Sequence, residues 1–450
     1  MEKDLNRILI DSINRLIRRN AIHHLRKIVN RTHAADLSVA FQSLPVAHQR
    51  KLFDMIDDVE DQGLLLSMLD RDTFQKLIDG IDLDKVVEIF EKMPNDDVAD
   101  LIALLPPETS DALLQKMKRE GSDEVEKLLK YDDETAGGIM VPDFIALKED
   151  TTARDAIASL QTEFADVEMP FYLYAVDEYG KLVGVSSLRQ LVVVPPETPL
   201  KSFITTDVIS VRTDTDQEEV AKIVARYDIL AVPVVDENHR LVGIVTVDDV
   251  IDIIRKEATE DILKMAGAGE EFVETKSILR STRIRLPWLF VSCLGGLLAA
   301  FVIGHFEASI KQIAYLAAFI PVIGGMGGNI GTQSSTIVVR GLATGRLHVR
   351  DIWSVVRKEL TIGFFLGSLY GLFIATVAQF RYNTYIVAVS AGLALICSMS
   401  IAALVGSLVP MLFERIKIDP AVATGPFVTT AVDIISVFTY FSIATALMGI

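Results

Sequence analysis

Long apolar stretches dominate the chain from about residue 284 to its end. They occupy residues 286–304, 313–338, 360–380, 385–412 and 426–448. Each stretch approaches the ~20 apolar residues that a helix needs to cross a bilayer. Glycines recur inside the stretches, as close packing between membrane helices requires. The pattern therefore predicts five transmembrane helices.

Before residue 130 the apolar positions repeat at helical spacing, but only over short units of 8–11 residues. Leu83–Phe90 is one such unit, and Pro or Asp residues begin the units that follow it. A helix this short cannot bury its apolar face alone, so the units must stack on one another. We therefore predict an all-α superhelical domain over residues 34–134.

Charged positions in the first 134 residues are assigned to surfaces and helix ends. Residues 1–33 carry eight bases and three acids, with apolar residues on one helical face. This predicts an amphipathic helix docked on the next domain, and a helix lying on a membrane surface is the alternative. The acid pairs further on, Asp57 with Asp58 and Asp96 with Asp97, are expected to cap helices or to face solvent.

Between residues 135 and 255 the pattern changes to strands followed by helices, and it occurs twice. The strand pairs lie at 171–177 with 182–186, and at 231–236 with 241–246. Each pair is followed by a helix, which begins at Ser187 in the first copy and at Val247 in the second. A duplication of this kind indicates a repeated structural unit. We therefore predict two tandem βα domains, 135–203 and 204–255.

Charge is distributed as unevenly as hydropathy. The 450-residue chain has 44 bases, 61 acids and a net charge of −17. Residues 1–275 hold 55 of the acids and 31 of the bases, whereas residues 276–450 hold 6 acids and 13 bases. Such acidity argues against nucleic-acid binding, which needs a basic surface, and favours the binding of cations. The two cysteines, Cys293 and Cys397, indicate neither a disulfide framework nor a zinc site.

The orientation in the membrane is predicted from the bases between the apolar stretches. Four bases precede the first stretch, five follow the second and two follow the fourth, whereas single bases follow the first and the third. By the positive-inside rule, residues 1–282 are cytoplasmic and the C-terminus is outside. The N-terminus is charged and lacks the apolar core of a signal peptide, which agrees with this orientation.

One carboxylate, Asp433, lies within the fifth apolar stretch. An ionised group inside a membrane helix costs at least ~2.5–3.5 kcal/mol, so it is expected to face water, a partner or an ion. Pro426 has no N–H, and it therefore leaves nearby carbonyls free to face a cavity. With the hydroxyls of Thr429 and Thr430, these oxygens would suit a hard cation such as Mg²⁺. The alternative is a buried carboxylate paired to a neighbouring helix.

The second apolar stretch is unusually rich in glycine and polar residues between Pro321 and Thr336. Such a helix is unsuited to lipid, so it either packs very closely against a neighbour or lines a pathway. Asn329, Thr332 and Gln333 favour the pathway.

An acid-rich segment leads from the strand-containing region to the first apolar stretch. Residues 248–274 hold nine acids, and helical spacing places Asp249, Asp252 and Glu260 near one face. Like charges so arranged repel one another unless a cation neutralises them. The segment is either a solvated linker helix or a coupling element, and we predict a connecting helix over residues 256–282.

The two strand-containing repeats resemble a tandem pair of CBS domains. The ending of the second repeat, Leu241–Asp249, matches the typical CBS ending closely. Such pairs are regulatory, and many bind adenine nucleotides in the cleft between the repeats. The resemblance implies nucleotide contacts from Thr246 and Asp249, with Ser186 and Gln190 at the matching places of the first repeat. ATP is therefore a candidate regulator.

Three features together resemble the MgtE family of Mg²⁺ channels and transporters. They are the short-helix array ending in Glu134–Met140, the CBS pair running into Glu257–Ile262, and five apolar spans that include Gly327–Asn329 and Pro426 with Asp433. The resemblance covers nearly the whole chain. It implies a homodimer in the plasma (inner) membrane, with a five-helix domain over residues 283–450 and Asp433 in a central pore. It implies pore-lining positions for Asn329, Thr332, Gly425 and Thr429.

The same resemblance implies regulatory Mg²⁺ sites between the cytosolic domains and the connecting helix. The matching acids are Asp214, Asp216, Asp248, Asp249, Asp252, Glu257, Glu260 and Asp261, with Asp419 on the membrane side. Arg226 stands where the family carries an acid. Cytosolic Mg²⁺ bound at these sites would draw the acidic domains together and close the pore, which is negative feedback on Mg²⁺ uptake.

Two other classes of protein compete with this interpretation. One is a CBS-regulated anion channel, against which Asp433 and the scarcity of bases inside the spans both argue. The other is a membrane-anchored nucleotide-dependent enzyme, but no phosphate-binding loop, His-rich metal cluster or Ser/Cys–His pair appears before the spans. Within the transporter class, channel and coupled carrier both stay open, as do Mg²⁺, Co²⁺ and Mn²⁺ as the transported ion.

Overall fold

The computed structural model describes residues 2–162, 164, 172–267 and 278–448. The chain divides into two units, Met1–Ile254 and Arg255–Ile450. The first unit contains short helices and two small sheets, and the second contains the long apolar helices. The predicted fold class, a helical superhelix followed by tandem CBS domains and a five-helix membrane domain, is confirmed.

The first unit begins with a stack of short helices. Their bounds are α1 (Glu2–Arg18), α2 (Ile22–Val29), α3 (Ala34–Gln42), α4 (Val46–Phe53), α5 (Val59–Ser67), α6 (Arg71–Ile78), α7 (Leu83–Phe90), α8 (Asn95–Ala103), α9 (Pro107–Lys116) and α10 (Arg119–Leu128). Alternate helices pack together, α1 on α3, α3 on α5, α5 on α7 and α7 on α9. Ile13 of α1 is fully buried in the common core, so the first helix is docked on the array.

Helix ends and ion pairs set the repeat of this stack. The carboxylates of Asp58 and Asp70 accept hydrogen bonds from the first turns of α5 and α6, which stops those helices from extending backwards. Ion pairs join positions 31 residues apart, Arg26 with Asp57 and Lys85 with Asp54. Successive layers therefore meet through equivalent side chains, as in a solenoid.

Two three-stranded sheets follow, and they have the same topology. Their elements are β1 (Ala146–Lys148), α11 (Ala153–Thr162), β2 (Tyr172–Val176), β3 (Leu182–Ser187), α12 (Leu188–Val193), β4 (Val211–Arg212), α13 (Gln217–Tyr227), β5 (Ala231–Val235) and β6 (Leu241–Thr246). In each sheet the first strand is parallel to the second and the second is antiparallel to the third. In both hairpins the pairing register shifts between the last two residues of the first hairpin strand, which is β2 in one sheet and β5 in the other.

The hairpin turns of the two sheets share their chemistry as well as their shape. Asp177 accepts hydrogen bonds from the N–H groups of Tyr179 and Lys181, each at 2.8 Å. Asp236 does the same for Asn238 and Arg240, also at 2.8 Å. The duplication in the sequence is therefore a duplication of structure.

Helix α14 (Val247–Met265) begins directly after β6. It includes the last helix of the second CBS repeat and the start of the predicted connecting segment, so these are one helix. The helix ends at Met265, and Gly267 adopts φ +71° in the turn that follows. The predicted connecting helix over 256–282 therefore does not run unbroken from residue 256, because the chain turns after Met265.

Within the described residues, the second unit contains five helices long and apolar enough to cross a membrane. They are α15 (Ile278–His305), α17 (Ile320–Ala343), α18 (Ile352–Tyr382), α19 (Tyr385–Arg415) and α20 (Pro426–Met448), and the second span also includes the 3-10 helix Ala314–Phe319. The short helix α16 (Glu307–Gln312) follows α15. The prediction of five spans is confirmed, although α18 begins eight residues before the predicted start at residue 360. Large apolar side chains such as Phe301 and Phe380 are exposed, as expected for surfaces that face lipid.

Helix α19 occupies the middle of this unit and packs against α17, α18 and α20. Glycines allow the backbones to approach closely. A Cβ added at Gly371 of α18 would lie 2.6 Å from the carbonyl oxygen of Gly392 in α19. A Cβ at Gly406 of α19 would meet the carbonyl of Gly331 in α17. These contacts fix α17 in position, and α17 is the glycine-rich helix singled out by the sequence.

Candidate functional site

The glycine-rich helix α17 has two different faces. Gly327 and Gly331 are buried, and a Cβ at Gly327 would lie 2.7 Å from Ser398 Oγ and 2.8 Å from Ser436 Oγ. On the other face Gly325, Asn329 and Thr332 are exposed. The sequence leaves close packing and pathway lining as alternatives, and the helix has both a closely packed face and a polar exposed face.

Asp433 lies beside this helix on α20. A Cβ added at Gly324 of α17 would lie 3.5 Å from Asp433 Oδ1, so the carboxylate lies close to this helix. The Asp433 side chain is exposed in the single chain. Within the part of the chain that the structure describes, it makes no hydrogen bond or ion pair, in contrast to the paired carboxylate that was the alternative prediction. Because hydrocarbon penalises an ionised carboxylate, this surface must face something other than lipid.

The region around Pro426 differs from the sequence-based expectation. Pro426 is the first residue of α20 and does not interrupt it, so no carbonyl is freed within the helix. The carbonyl of Gly425 accepts hydrogen bonds from the N–H and the hydroxyl of Thr429, at 3.4 and 3.2 Å. The Thr430 side chain packs against Gly295 of α15. Gly425, Thr429 and Thr430 therefore all have contacts within the chain, and their predicted role as an oxygen lining stays a prediction.

The end of α14 meets the start of α20 through charged side chains. Lys264 forms an ion pair with Glu260, one turn earlier on the same helix, and its Nζ lies 2.6 Å from Asp419 Oδ2. Burial alone would lower the pKa of Lys264, but the hydrogen bonds and charges of Asp419 and Glu260 outweigh it and raise the pKa. The structure thus brings two predicted regulatory acids together, with a lysine between them.

A second acidic site lies within the first unit. Asp96, in the first turn of α8, has an Oδ1 atom shielded from solvent and without a hydrogen-bond partner in the described chain. Burial, followed by the charges of Asp97 and Asp249, raises the pKa of Asp96 to about 8. Asp249 bonds Thr246 Oγ1 at 2.6 Å, and burial raises its pKa as well. The expectation that Asp96 caps a helix or faces solvent is therefore wrong, because α8 has no side-chain cap and one Asp96 oxygen is shielded from solvent.

The other predicted regulatory acids have varied surroundings. Asp214 pairs with Arg212, whose hydrogen bond and charge lower the Asp214 pKa, and Asp216 caps α13. Asp248 and Asp252 are exposed, whereas Glu257 and Asp261 are partly buried. Arg226 lies in the last turn of α13. The linker acids Glu270, Glu271 and Glu274 lie outside the described residues. Across the described ranges, no three His, Cys, Asp or Glu side chains are grouped as a metal site.

The two CBS repeats differ at the predicted nucleotide positions. In the second repeat, Thr246 is buried and donates its hydroxyl hydrogen to Asp249. In the first, Ser186 is buried, and the Gln190 amide donates to the Phe203 carbonyl at 2.8 Å. The first repeat therefore has no counterpart of the Thr–Asp pair at these two described positions.

One buried acid escapes the sequence-based prediction. Glu359 of α18 is 4% exposed and accepts a hydrogen bond from Ser334 of α17 at 2.8 Å. The predicted span begins at residue 360, which leaves Glu359 just outside it. The signal that could have found it is its spacing, because glycines recur every four residues after it, at positions 363, 367 and 371.

Comparison with known proteins identifies families along most of the chain. A family model described as a divalent cation transporter matches residues 320–443. The MgtE intracellular N domain model matches residues 32–134, and the CBS domain model matches residues 136–197 and 200–256. The matched families follow one another in the order that the structure displays.

Relatives and a solved structure extend this comparison. The magnesium transporter MgtE of Bacillus subtilis is 34% identical over 96% of this chain and 95% of its own length. That of Thermus thermophilus is 39% identical over 72% of both chains. The crystal structure of the cytosolic domain of the Mg²⁺ channel MgtE in complex with ATP has a TM-score of 0.52 and 34% identity, over 54% of this chain and 99% of that chain.

Helical stack, CBS pair and apolar spans together define a membrane transporter of divalent cations with a cytosolic N-terminal part. The chain belongs to the MgtE family of magnesium transporters, and Mg²⁺ is its transported substrate. The resemblance stated from the sequence is thereby confirmed. The relatives are transporters of a cation, so the anion-channel and enzyme alternatives are set aside.

Proposed function

We propose that two copies of the chain form a pore for Mg²⁺ uptake across the plasma membrane, with Asp433 of each copy on the ion path. The observation that carries this proposal is the state of Asp433: it is exposed and has no partner in the described chain. A membrane protein keeps such a group where an ion or water meets it. The carboxylate lies next to Gly324 of the glycine-rich helix α17.

The chemistry of the neighbouring side chains suits a hydrated divalent cation. Mg²⁺ gives up water reluctantly and is usually held by one or two carboxylates through a partly retained water shell. Two Asp433 side chains facing one axis would supply those charges. Asn329 and Thr332, exposed on the same helix as Gly324, supply oxygen atoms further along α17. Gly425 and Thr429 are proposed to lie at the entrance of the path, where they form the first turn of α20.

The test is Mg²⁺ flux into liposomes that contain the purified full-length chain. Asp433→Asn keeps the shape of the side chain but removes the charge, so flux is expected to fall by about a hundredfold or more, since a charged site in a low-dielectric surrounding is lost. Glu307→Gln is the matched control, because Glu307 is an exposed acid paired with Lys311. Wild-type flux through Asp433→Asn, with the dimer intact, contradicts the proposed pore site.

Two features support the dimer and the orientation. Gly295 is the buried residue of α15 within the described chain, so most of this span needs lipid or a second copy to cover it. By the positive-inside rule, the bases between the spans support a C-terminus outside the cell. The mass of the detergent-solubilised protein, corrected for bound detergent, tests the dimer, and a monomer contradicts it. Labelling a C-terminal cysteine in intact cells tests the orientation, and labelling only after lysis contradicts it.

Regulation by cytosolic Mg²⁺ is proposed from the acids that face one another. The negative charge of Asp249 disfavours the ionised form of Asp96, and burial raises the pKa of both carboxyl groups. A divalent cation would remove that repulsion and hold α8 against the start of α14. Lys264 lies near the end of α14 and forms an ion pair with Asp419. Asp419 precedes the helix that carries Asp433. The predicted acids Asp214, Asp216, Asp248, Asp252, Glu257 and Asp261 are proposed to contribute further ligands.

Adenine nucleotide binding is proposed at the second CBS repeat. The support is the Thr246–Asp249 pair, together with the solved cytosolic domain of the Mg²⁺ channel MgtE, which is a complex with ATP. Isothermal titration of the full-length chain with ATP tests the proposal. Thr246→Val is expected to weaken ATP binding about tenfold by removing one hydrogen-bonding group. An ATP affinity that is unchanged in this variant contradicts the assignment.

A further inference from the structure

The joint between α14 and α20 contains its own cation. Lys264 Nζ lies 2.6 Å from Asp419 Oδ2, and the same ammonium group pairs with Glu260. The three side chains are 30%, 34% and 21% exposed for Lys264, Asp419 and Glu260, so the cluster is largely enclosed. Both carboxylates therefore share one tethered positive charge.

The backbone around this cluster connects it to the helix that carries Asp433. The second oxygen of Asp419 accepts a hydrogen bond from the Ala421 N–H at 2.8 Å, which fixes the turn before α20. A Cβ added at Gly425 would lie 3.1 Å from the Met265 carbonyl oxygen. At Gly267, an added Cβ would lie 3.5 Å from the Pro426 ring. The last turn of α14 is thus seated directly on the first turn of α20.

We propose that the Lys264 ammonium group acts as a tethered competitor of Mg²⁺ at the Glu260–Asp419 carboxylate pair. The proposal rests on the proposed regulation by cytosolic Mg²⁺ and adds a determinant of its threshold. Mg²⁺ enters this pair only after the lysine leaves it. Because the lysine is attached to the same helix as Glu260, its effective concentration at the pair is high, on the order of millimolar or above. Lys264 therefore weakens Mg²⁺ binding at the joint and sets closure to a higher Mg²⁺ concentration.

Two possible roles of Lys264 predict opposite effects of its removal on closure. If the lysine only holds α14 on α20, its removal loosens the joint, and more Mg²⁺ is needed for closure. If it competes with Mg²⁺, its removal leaves two adjacent carboxylates without a counter-charge, and less Mg²⁺ is needed. The direction of the change therefore separates competition from simple attachment.

The test uses Lys264→Met in the full-length dimer, with two readouts. Direct Mg²⁺ titration by calorimetry is expected to show one additional or tighter site per chain, with affinity raised about tenfold because the carboxylate pair has lost its internal cation. In liposomes, the cytosolic Mg²⁺ concentration that halves the flux is expected to fall by about fivefold or more, because the freed pair binds Mg²⁺ more tightly. Lys264→Gln serves as a second variant that retains a polar side chain.

Controls separate this proposal from the one on which it rests. Lys264→Arg keeps a cation and is expected to behave like the wild type in both readouts. Lys256→Met removes an exposed lysine from the same helix and should change neither. Adding Asp419→Asn to Lys264→Met is expected to abolish the gained Mg²⁺ binding. Unchanged Mg²⁺ binding in both Lys264→Met and Lys264→Gln, or closure of these variants that needs more Mg²⁺, overturns the proposal. Flux through the wild type that does not respond to cytosolic Mg²⁺ overturns the proposed regulation itself.

Discussion

Two clusters of acids in this chain differ in whether a base lies beside them. In the first unit, the carboxyl group of Asp96 is largely buried, and the negative charges of Asp97 and Asp249 further disfavour its ionised form. In the second unit, Glu260 and Asp419 approach the same ammonium group, that of Lys264. The composition of the two clusters is similar, with two principal carboxylates each. Only the second carries its own cation.

The difference indicates where an added cation has most to contribute. At the Asp96 cluster, a divalent ion would replace repulsion with attraction, so binding and folding should be coupled. At the Lys264 cluster, the ion has to displace an existing partner, so the gain is smaller. If the proposed regulation holds, an added cation should therefore act more strongly at the Asp96 cluster than at the Lys264 cluster.

The largest expected effect comes from removing the unpaired acids. Asp96→Asn combined with Asp249→Asn should raise the cytosolic Mg²⁺ concentration that halves the flux by about tenfold or more. A tenfold change corresponds to ~1.4 kcal/mol of binding free energy. The reason is that two ligands of the proposed site lose their charge. Flux in liposomes, measured against Mg²⁺ on the cytosolic side, gives the value.

Asp54→Asn is the control for this double variant. Asp54 lies in the same helical stack, but it is exposed and paired with Lys85. Its loss should leave the Mg²⁺ dependence unchanged. An equal shift in the control and in the double variant would show that net charge, and not the Asp96 site, determines the response.

A smaller effect is expected on stability as a function of pH. The Asp96 pKa is about 8 in the folded chain and 3.8 as the ordinary value. Between these values the folded chain holds a proton that the unfolded chain has released, so the free energy of unfolding falls as the pH rises. In Mg²⁺-free buffer, the melting temperature of the full-length protein should therefore drop as the pH is raised from near neutral to above the folded pKa of about 8.

Asp96→Asn sharpens this measurement. The variant has no carboxyl group to titrate, so its melting temperature should fall less across the same pH range and should exceed that of the wild type at the alkaline end. Mg²⁺ should restore the wild type but not the variant. Parallel pH profiles of the two proteins would contradict the burial of Asp96 against Asp249.

The smallest effect is expected at exposed acids that already have a base. Lys116→Gln removes the partner of Asp84 in the helical stack. Because both side chains are solvent-exposed, the free energy of unfolding should hardly change. Denaturant unfolding of the full-length chain measures this change, and a clear loss of stability would mean that ion pairs between the layers hold the stack together.

Much of the fold was predictable because it depends on local patterns. The two CBS repeats were visible as strand pairs around Asp177 and Asp236, and the spans as apolar runs of bilayer length. Asp433 was detectable because an acid is rare in such a run. These signals need only a few neighbouring residues.

The rest depends on partners that are distant in the sequence. Lys264 looks like a solvated base on an acidic helix, yet its partner Asp419 lies 155 residues away. Asp96 looks like a helix-start residue, yet its carboxyl group is largely buried and is affected by the charge of Asp249, which lies 153 residues later in the sequence. Glu359 acquires its partner Ser334 from another span. Periodicity predicts which residues form a helix, but not which helices meet.

The central claim, that Mg²⁺ passes between two Asp433 carboxylates, is tested most directly by a cryo-electron microscopy map of the full-length protein in high Mg²⁺. The account predicts a dimer with density for an ion on the axis, held by both Asp433 side chains through water. A map in which Asp433 faces lipid or pairs with a base, away from any continuous water-filled path, would contradict it.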